Sequence, residues 1–288
     1  MIKRAVCCVL LVSAAAYDAS SGEASPSVSQ LIGALSAPDA LAEWRASRDL
    51  VQRGDQAVPA LAKLAGAPGP LPPRLLSVEL LGEIGTKGAT DALITLLETE
   101  RKALAVRGQV CMQLGYSRVQ RAAPVIAEWL KTIGPRALHD VRGPKEVQPT
   151  TCYIRHLEAL GMIGDARTIP AVEAFRTQIP KGVGYGGFLT RMATGATDHA
   201  LEHLRAFAAF RKAVGRHPGL QKQIHPLFEH LRADPVARVR FYTGDVVSLS
   251  ERGKEVLGVL ARHSDAAVAA GAKALLARCA DLRKGAGE

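Results

Sequence analysis

Residues 75–85 read LLSVELLGEIG and residues 156–164 read HLEALGMIG: apolar residues three and four apart, closed by a glycine. That spacing puts the apolar side chains on one face of a helix, and the glycine supplies a backbone conformation other residues resist, so each run predicts a helix and its end. The same pattern occurs in RASRDLVQRG at 45–54, AVRGQVCMQLG at 105–115 and LRAFAAFRKAVG at 204–215. Four residues before the first four glycines stand Leu50, Leu81, Cys111 and Leu160; one before stand Arg53, Ile84, Leu114 and Ile163, with only Arg53 breaking the apolar column. After each glycine a second short helix is predicted over AVPALAKLA, ATDALITLL, AAPVIAEWL and TIPAVEAF, three of them with a proline in the first turn, where the helical N–H has no partner to lose.

Gly54, Gly85 and Gly115 lie about one 30-residue period apart, and the longer gaps to Gly164 and Gly215 each hold a visible insertion, near 133–150 and 180–195. Each period is therefore a helical hairpin. Such a unit cannot bury its apolar face alone, so successive hairpins are expected to stack into one solenoid. The expected fold is all-α: an α-solenoid of about six hairpins over 31–282 plus a closing helix, with SVSQLIGALS at 27–36 covering the first hairpin. Two later repeat starts are expected at ADPVARVRF from 233 and SDAAVAAGAKALL from 264.

The stretches ALGMIGDARTIPAVEAF at 159–175 and VELLGEIGTKGATDALITLLE at 78–98 resemble the HEAT-repeat family, most closely the short HEAT-like repeats of phycobilisome lyases. The resemblance implies a repeat solenoid that binds other proteins, as in bacterial exported proteins of this class. It also raises an enzymatic alternative, attachment of a bilin chromophore, against which the N-terminus argues.

Residues 1–16 carry Lys3 and Arg4, an apolar run from Ala5 to Val12, and Ala14-Ala15-Ala16, the layout of an export signal. The run is too short to span a bilayer, and no transmembrane span is expected in the mature chain. The expected location is periplasmic or extracellular. Residues 17–30, rich in Ser and Ala, read as a flexible lead-in, and 283–288 as a polar tail. Of the five cysteines, Cys111, Cys152 and Cys279 remain after cleavage, too few and too scattered for a disulfide framework.

The 288 residues are 48% hydrophobic, 22% charged and only 5% aromatic, enough apolar content for a sizeable core and too few rings for base stacking on single-stranded nucleic acid. No specific nucleic-acid partner and no cofactor are expected. The net charge of +10 falls to +8 once Lys3 and Arg4 leave, favouring acidic partners. Both insertions follow a second helix, which in a regular solenoid puts them on one edge. With their flanks they hold Lys131, Arg136, His139, Arg142, Lys145, Arg176, Lys181 and Arg191 against Asp140 and Glu146. A protein-binding scaffold without enzymatic activity is therefore expected, using the concave solenoid face and a basic edge at Lys131, Arg136, Arg142, Lys145, Lys181 and Arg191 suited to an acidic protein surface.

Three other motifs carry chemistry. GVGYGG at 182–187 lacks the lysine and hydroxyl of a phosphate-cradling loop and reads as flexible insertion. His199-Ala-Leu-Glu202-His203 has two histidines one helical turn apart, able to ligate zinc, with a glutamate to activate water, and makes a metal-dependent hydrolase the alternative function. The third glutamate ligand of such peptidases has no match downstream, and Leu201, Leu204, Phe207 and Phe210 already explain the segment as an amphipathic helix. Cys152-x-x-x-His156 has the same i, i+4 geometry and reads as a partly buried thiol, while Cys111 reads as core.

Overall fold

The computed structural model describes residues 25–100, 102–133, 147–179, 184–217, 219–220 and 251–285. Among these residues are twelve α-helices and no strand. Helix α1 (Val28–Ala34) precedes four hairpins: α2 (Ala40–Arg53) with α3 (Val58–Gly66), α4 (Leu71–Ile84) with α5 (Lys87–Thr99), α6 (Leu104–Tyr116) with α7 (Ala123–Ile133), and α8 (Val147–Ile163) with α9 (Ile169–Gln178). Then come α10 (Gly184–Val214), α11 (Glu251–Leu260) and α12 (Ala266–Gly285). The first helices α2, α4, α6, α8 and α10 pack side by side in one layer, and α3, α5, α7 and α9 form the other. The chain is an all-α solenoid of HEAT-like hairpins.

The repeat columns explain the core. Leu50, Leu81, Cys111 and Leu160 are completely buried between the layers, as are Leu114 and Ile163. One continuous apolar cluster runs from Leu31 to Leu204; a second joins Phe210 and Val214 of α10 to Leu257, Leu260, Val268 and Leu275 of α11 and α12. At 31 residues, α10 is about 46 Å long, which lets one rigid helix contribute to both clusters.

Helix α1 lies on α2 and α3 and buries Leu31 and Leu35. It starts inside the stretch read as a lead-in, because Ser27 and Gln30 form a reciprocal capping box that fixes its first turn.

The glycines are not equivalent. Gly54, Gly85 and Gly164 end their helices at positive φ, 57°, 61° and 68°, which other residues resist, and Gly85, with ψ 14°, has the left-handed geometry expected of a stop. Gly115 lies within α6, and the left-handed residue of that turn is Arg118, at φ 48°. Gly115 serves close packing instead: a Cβ there would collide with the Met162 methyl and lie 2.9 Å from the Ala159 Cα on α8.

The insertion read at 180–195 is, from Gly184 onward, the start of α10. Poor helix formers such as Gly184, Gly186 and Gly187 are overridden downstream, where Ala193 is fully buried on the core; tertiary packing, more than propensity, decides a marginal helix. Residues 134–146 of the other insertion lie outside the described residues, and 147–150 belong to α8. The helix expected from residue 233 also falls outside them, and α12 occupies the closing position. No helix among the described residues is long and apolar enough to cross a membrane.

Candidate functional site

Of the residues assigned to the basic edge, Arg136, Arg142, Lys145 and Lys181 lie outside the described residues. Lys131 is exposed in the last turn of α7 and pairs with Glu128 at 3.0 Å. Arg191 is exposed in the second turn of α10. Arg176 is drawn into an ion pair with Asp198 across the α9–α10 contact.

Two grooves flank α10, and they separate the residues of the histidine motif. Between α9 and α10, Glu173, Arg176, Thr177, Asp198, Leu201, Glu202 and Arg205 line a cleft of about 490 Å3, bridged by the Arg176–Asp198 pair and by Arg205 on Glu173 at 2.7 Å. The other cleft, between α8 and α10, holds about 260 Å3 and is lined by Ile154, Glu158, Met192, Gly195, Ala196, His199 and Ala200. His199 thus faces one groove and Glu202 the other. His203 is buried beside Gly161 of α8, its ring centroid 5.0 Å from that of His199. A water-activating carboxylate and two imidazoles facing one ion is not the arrangement present. Among the described residues, no group of three or more His, Cys, Asp or Glu side chains is placed to hold a metal ion. Leu201, Leu204 and Phe210 are buried, so the helix is amphipathic as its spacing requires.

A buried polar chain ties successive hairpins together. Arg74 donates to the Ala65 carbonyl at 2.9 Å and pairs with Glu100. Burial pushes the Glu100 carboxyl up, but the Ala103 and Lys102 N–H groups and Arg74 outweigh it and hold it below its ordinary range. Arg107, fully buried, donates Nη1 to the Glu100 carbonyl at 3.1 Å and Nε to His156 Nε2 at 3.3 Å, with its guanidinium over the Trp129 ring. His156 Nδ1 is 2.6 Å from the Cys152 carbonyl, which only accepts, so Nδ1 carries the proton and Nε2 is free to accept from Arg107. The bonds require a neutral imidazole, and burial, reinforced by Arg107, pulls its pKa down to about 4.

The Cys152–His156 pair is therefore structural. Burial pushes the Cys152 thiol up to about 12, away from the thiolate that a nucleophile or metal ligand needs. Cys111 is likewise a buried thiol, its pKa raised by burial.

A second ladder links the first helices: Arg155 Nη1 donates to Gln109 Oε1 and Gln109 Nε2 to Glu79 Oε1, both at 2.9 Å. Glu79 and Gln109 stand six residues before their glycines, and so does Glu158. Arg155 takes the place beside Gln109, and Glu158 sits in the α8–α10 cleft instead, where burial pushes its carboxyl up to about 7 against the pull of Arg155. The sequence reading missed Glu158. The only signal was a charged residue inside an apolar repeat, in a column already polar at Arg48, Glu79 and Gln109.

No protein-family profile and no curated protein matches the chain. Among solved structures, a chain in the complex of CpcE and CpcF of phycocyanin lyase from Nostoc sp. PCC7120 is similar: it is 19% identical, and the alignment covers 93% of this chain and all of that one at a TM-score of 0.44. The expectation of a scaffold without enzymatic activity is corrected: the similar chain is part of a phycocyanin lyase complex.

Proposed function

We propose that the chain is an exported protein-binding scaffold, periplasmic or extracellular, that presents a basic edge to an acidic protein surface. The observation that carries this reading is the continuous apolar core from Leu31 to Leu204, reinforced by the Arg74–Glu100–Arg107–His156 chain across successive repeats. A stack held in this way keeps an extended surface in place before a partner arrives, so little ordering free energy is lost on binding. We assign to that edge the exposed cations Lys131 and Arg191, together with Arg136, Arg142, Lys145 and Lys181 of the sequence.

The test is capture of partners from the envelope fraction of the source cell by the wild-type chain and by a triple variant, Arg136→Glu, Arg142→Glu and Arg191→Glu. The wild-type chain should retain a partner in low salt, and the variant should lose it by about tenfold or more, since charge reversal converts attraction into repulsion. Partners retained equally by both chains would remove the basic edge from the account.

A further inference from the structure

The α8–α10 cleft combines three features that the scaffold role does not use. Among the described lining residues, its one acid, Glu158, is set among Ile154, Met192, Ala196 and Ala200, with the His199 imidazole as the other polar side chain. The cation nearest in sequence, Arg155, is turned toward α6, where it donates to Gln109. Burial raises the Glu158 carboxyl to about 7 in spite of Arg155, the behaviour of an acid whose surroundings supply too little positive charge.

Gly195 is the third feature. Glycine inside a helix costs about 1 kcal/mol relative to alanine; at Gly82 and Gly115 close packing explains it, a Cβ running into Gln113 and Met162 respectively, whereas Gly33 and Gly258 face open space away from the cleft. A Cβ at Gly195 would meet nothing within 4 Å. No neighbouring atom requires this glycine, and its effect is to leave the cleft wall open. The volume of about 260 Å3 is slightly below that of pockets for drug-sized ligands, so it suits a short chain with one polar head.

We propose that this cleft binds a small primary alkylammonium group, the ammonium against the Glu158 carboxylate beside His199 and the alkyl chain along Ile154, Met192 and Ala196. A free amine and a lysine side chain share this chemistry. The ion pair restores to Glu158 the charge solvation that the cleft removes, and the alkyl chain covers apolar wall.

The experiment titrates the purified full chain near pH 8 with n-pentylammonium, with Nα-acetyl-lysine N-methylamide, with n-pentanol and with pentanoate, following the His199 ring protons by NMR. Saturable shifts are expected for n-pentylammonium in the millimolar range, with n-pentanol and pentanoate at least about tenfold weaker. Equal or tighter binding of the lysine derivative identifies a lysine side chain as the source, and weaker binding identifies a free amine. Glu158→Gln should weaken n-pentylammonium by about tenfold. Gly195→Leu, which keeps Glu158 and whose Cβ meets no neighbouring atom, should fill the cleft wall and abolish binding while circular dichroism stays that of the wild type. Equal binding of pentanol and pentylammonium, no saturable shift, or binding unchanged in Gly195→Leu overturns the proposal.

Discussion

At the scale of single residues, His156 shows most directly how burial sets chemistry. It donates through Nδ1 and accepts through Nε2, and only the neutral ring does both. Its pKa is depressed to about 4 in the folded chain, whereas an unfolded histidine titrates near 6.5. Between those values the unfolded state binds the extra proton, so the stabilisation from His156 is complete above about pH 6.5 and is lost as the pH falls through about 4. The loss amounts to as much as about 3 kcal/mol for this one group. Denaturant titrations at several pH values should show it in the wild-type chain. His156→Gln, which can still accept from Arg107 and donate to the Cys152 carbonyl, should flatten the dependence. An unchanged acid slope in the variant would assign it to other groups.

At the scale of elements, the turns show how a repeated sequence is used in different ways. Gly85 is a true left-handed stop and Gly164 ends its helix at positive φ, while the third hairpin turns at Arg118, whose Nη1 donates to the Met162 carbonyl of the next repeat at 3.1 Å. Helix α1 is the shortest of the helices and the most dependent on its cap: the Ser27 hydroxyl accepts from the Gln30 N–H, and the Gln30 side chain accepts from the Ser27 N–H. Ser27→Ala should cost about 0.5–2 kcal/mol locally. Amide exchange in residues 28–34 should accelerate several-fold, with α8 unaffected; an equal change in both would mean that α1 and α8 open together.

The repeat pattern was legible at this scale because it is local: apolar spacing, a glycine and a proline each act within a few residues of chain. What was not legible was whether a given glycine answers its own φ or a neighbouring helix. Gly115 and Gly85 look alike in sequence, and only the approach of Ala159 and Met162 tells them apart.

At the scale of the whole molecule, two apolar clusters share one long helix, so α10 is the link between the hairpins and the α11–α12 end. Stacked repeats contact only their neighbours, and damage should therefore stay local. Leu61→Ala in the first cluster and Leu275→Ala in the second should each cost about 2–5 kcal/mol in its own region. Hydrogen exchange should rise around α2–α3 for the former and around α11–α12 for the latter. A uniform rise along the chain in both variants would show that the solenoid unfolds as one unit.

The sequence by itself determined the hairpin period, the apolar columns and the burial of Cys111, because helix periodicity is written into residues three and four apart. It also marked His199, Glu202 and His203 as a cluster, since they lie within five consecutive positions. Tertiary structure decided which of them face the same space: on a helix, positions 199 and 202 can border different neighbours, and here they border α8 and α9 respectively. It alone brought Glu158 opposite His199 and left the wall at Gly195 open, because the meeting of two helices depends on how their whole faces pack and not on any local run of residues.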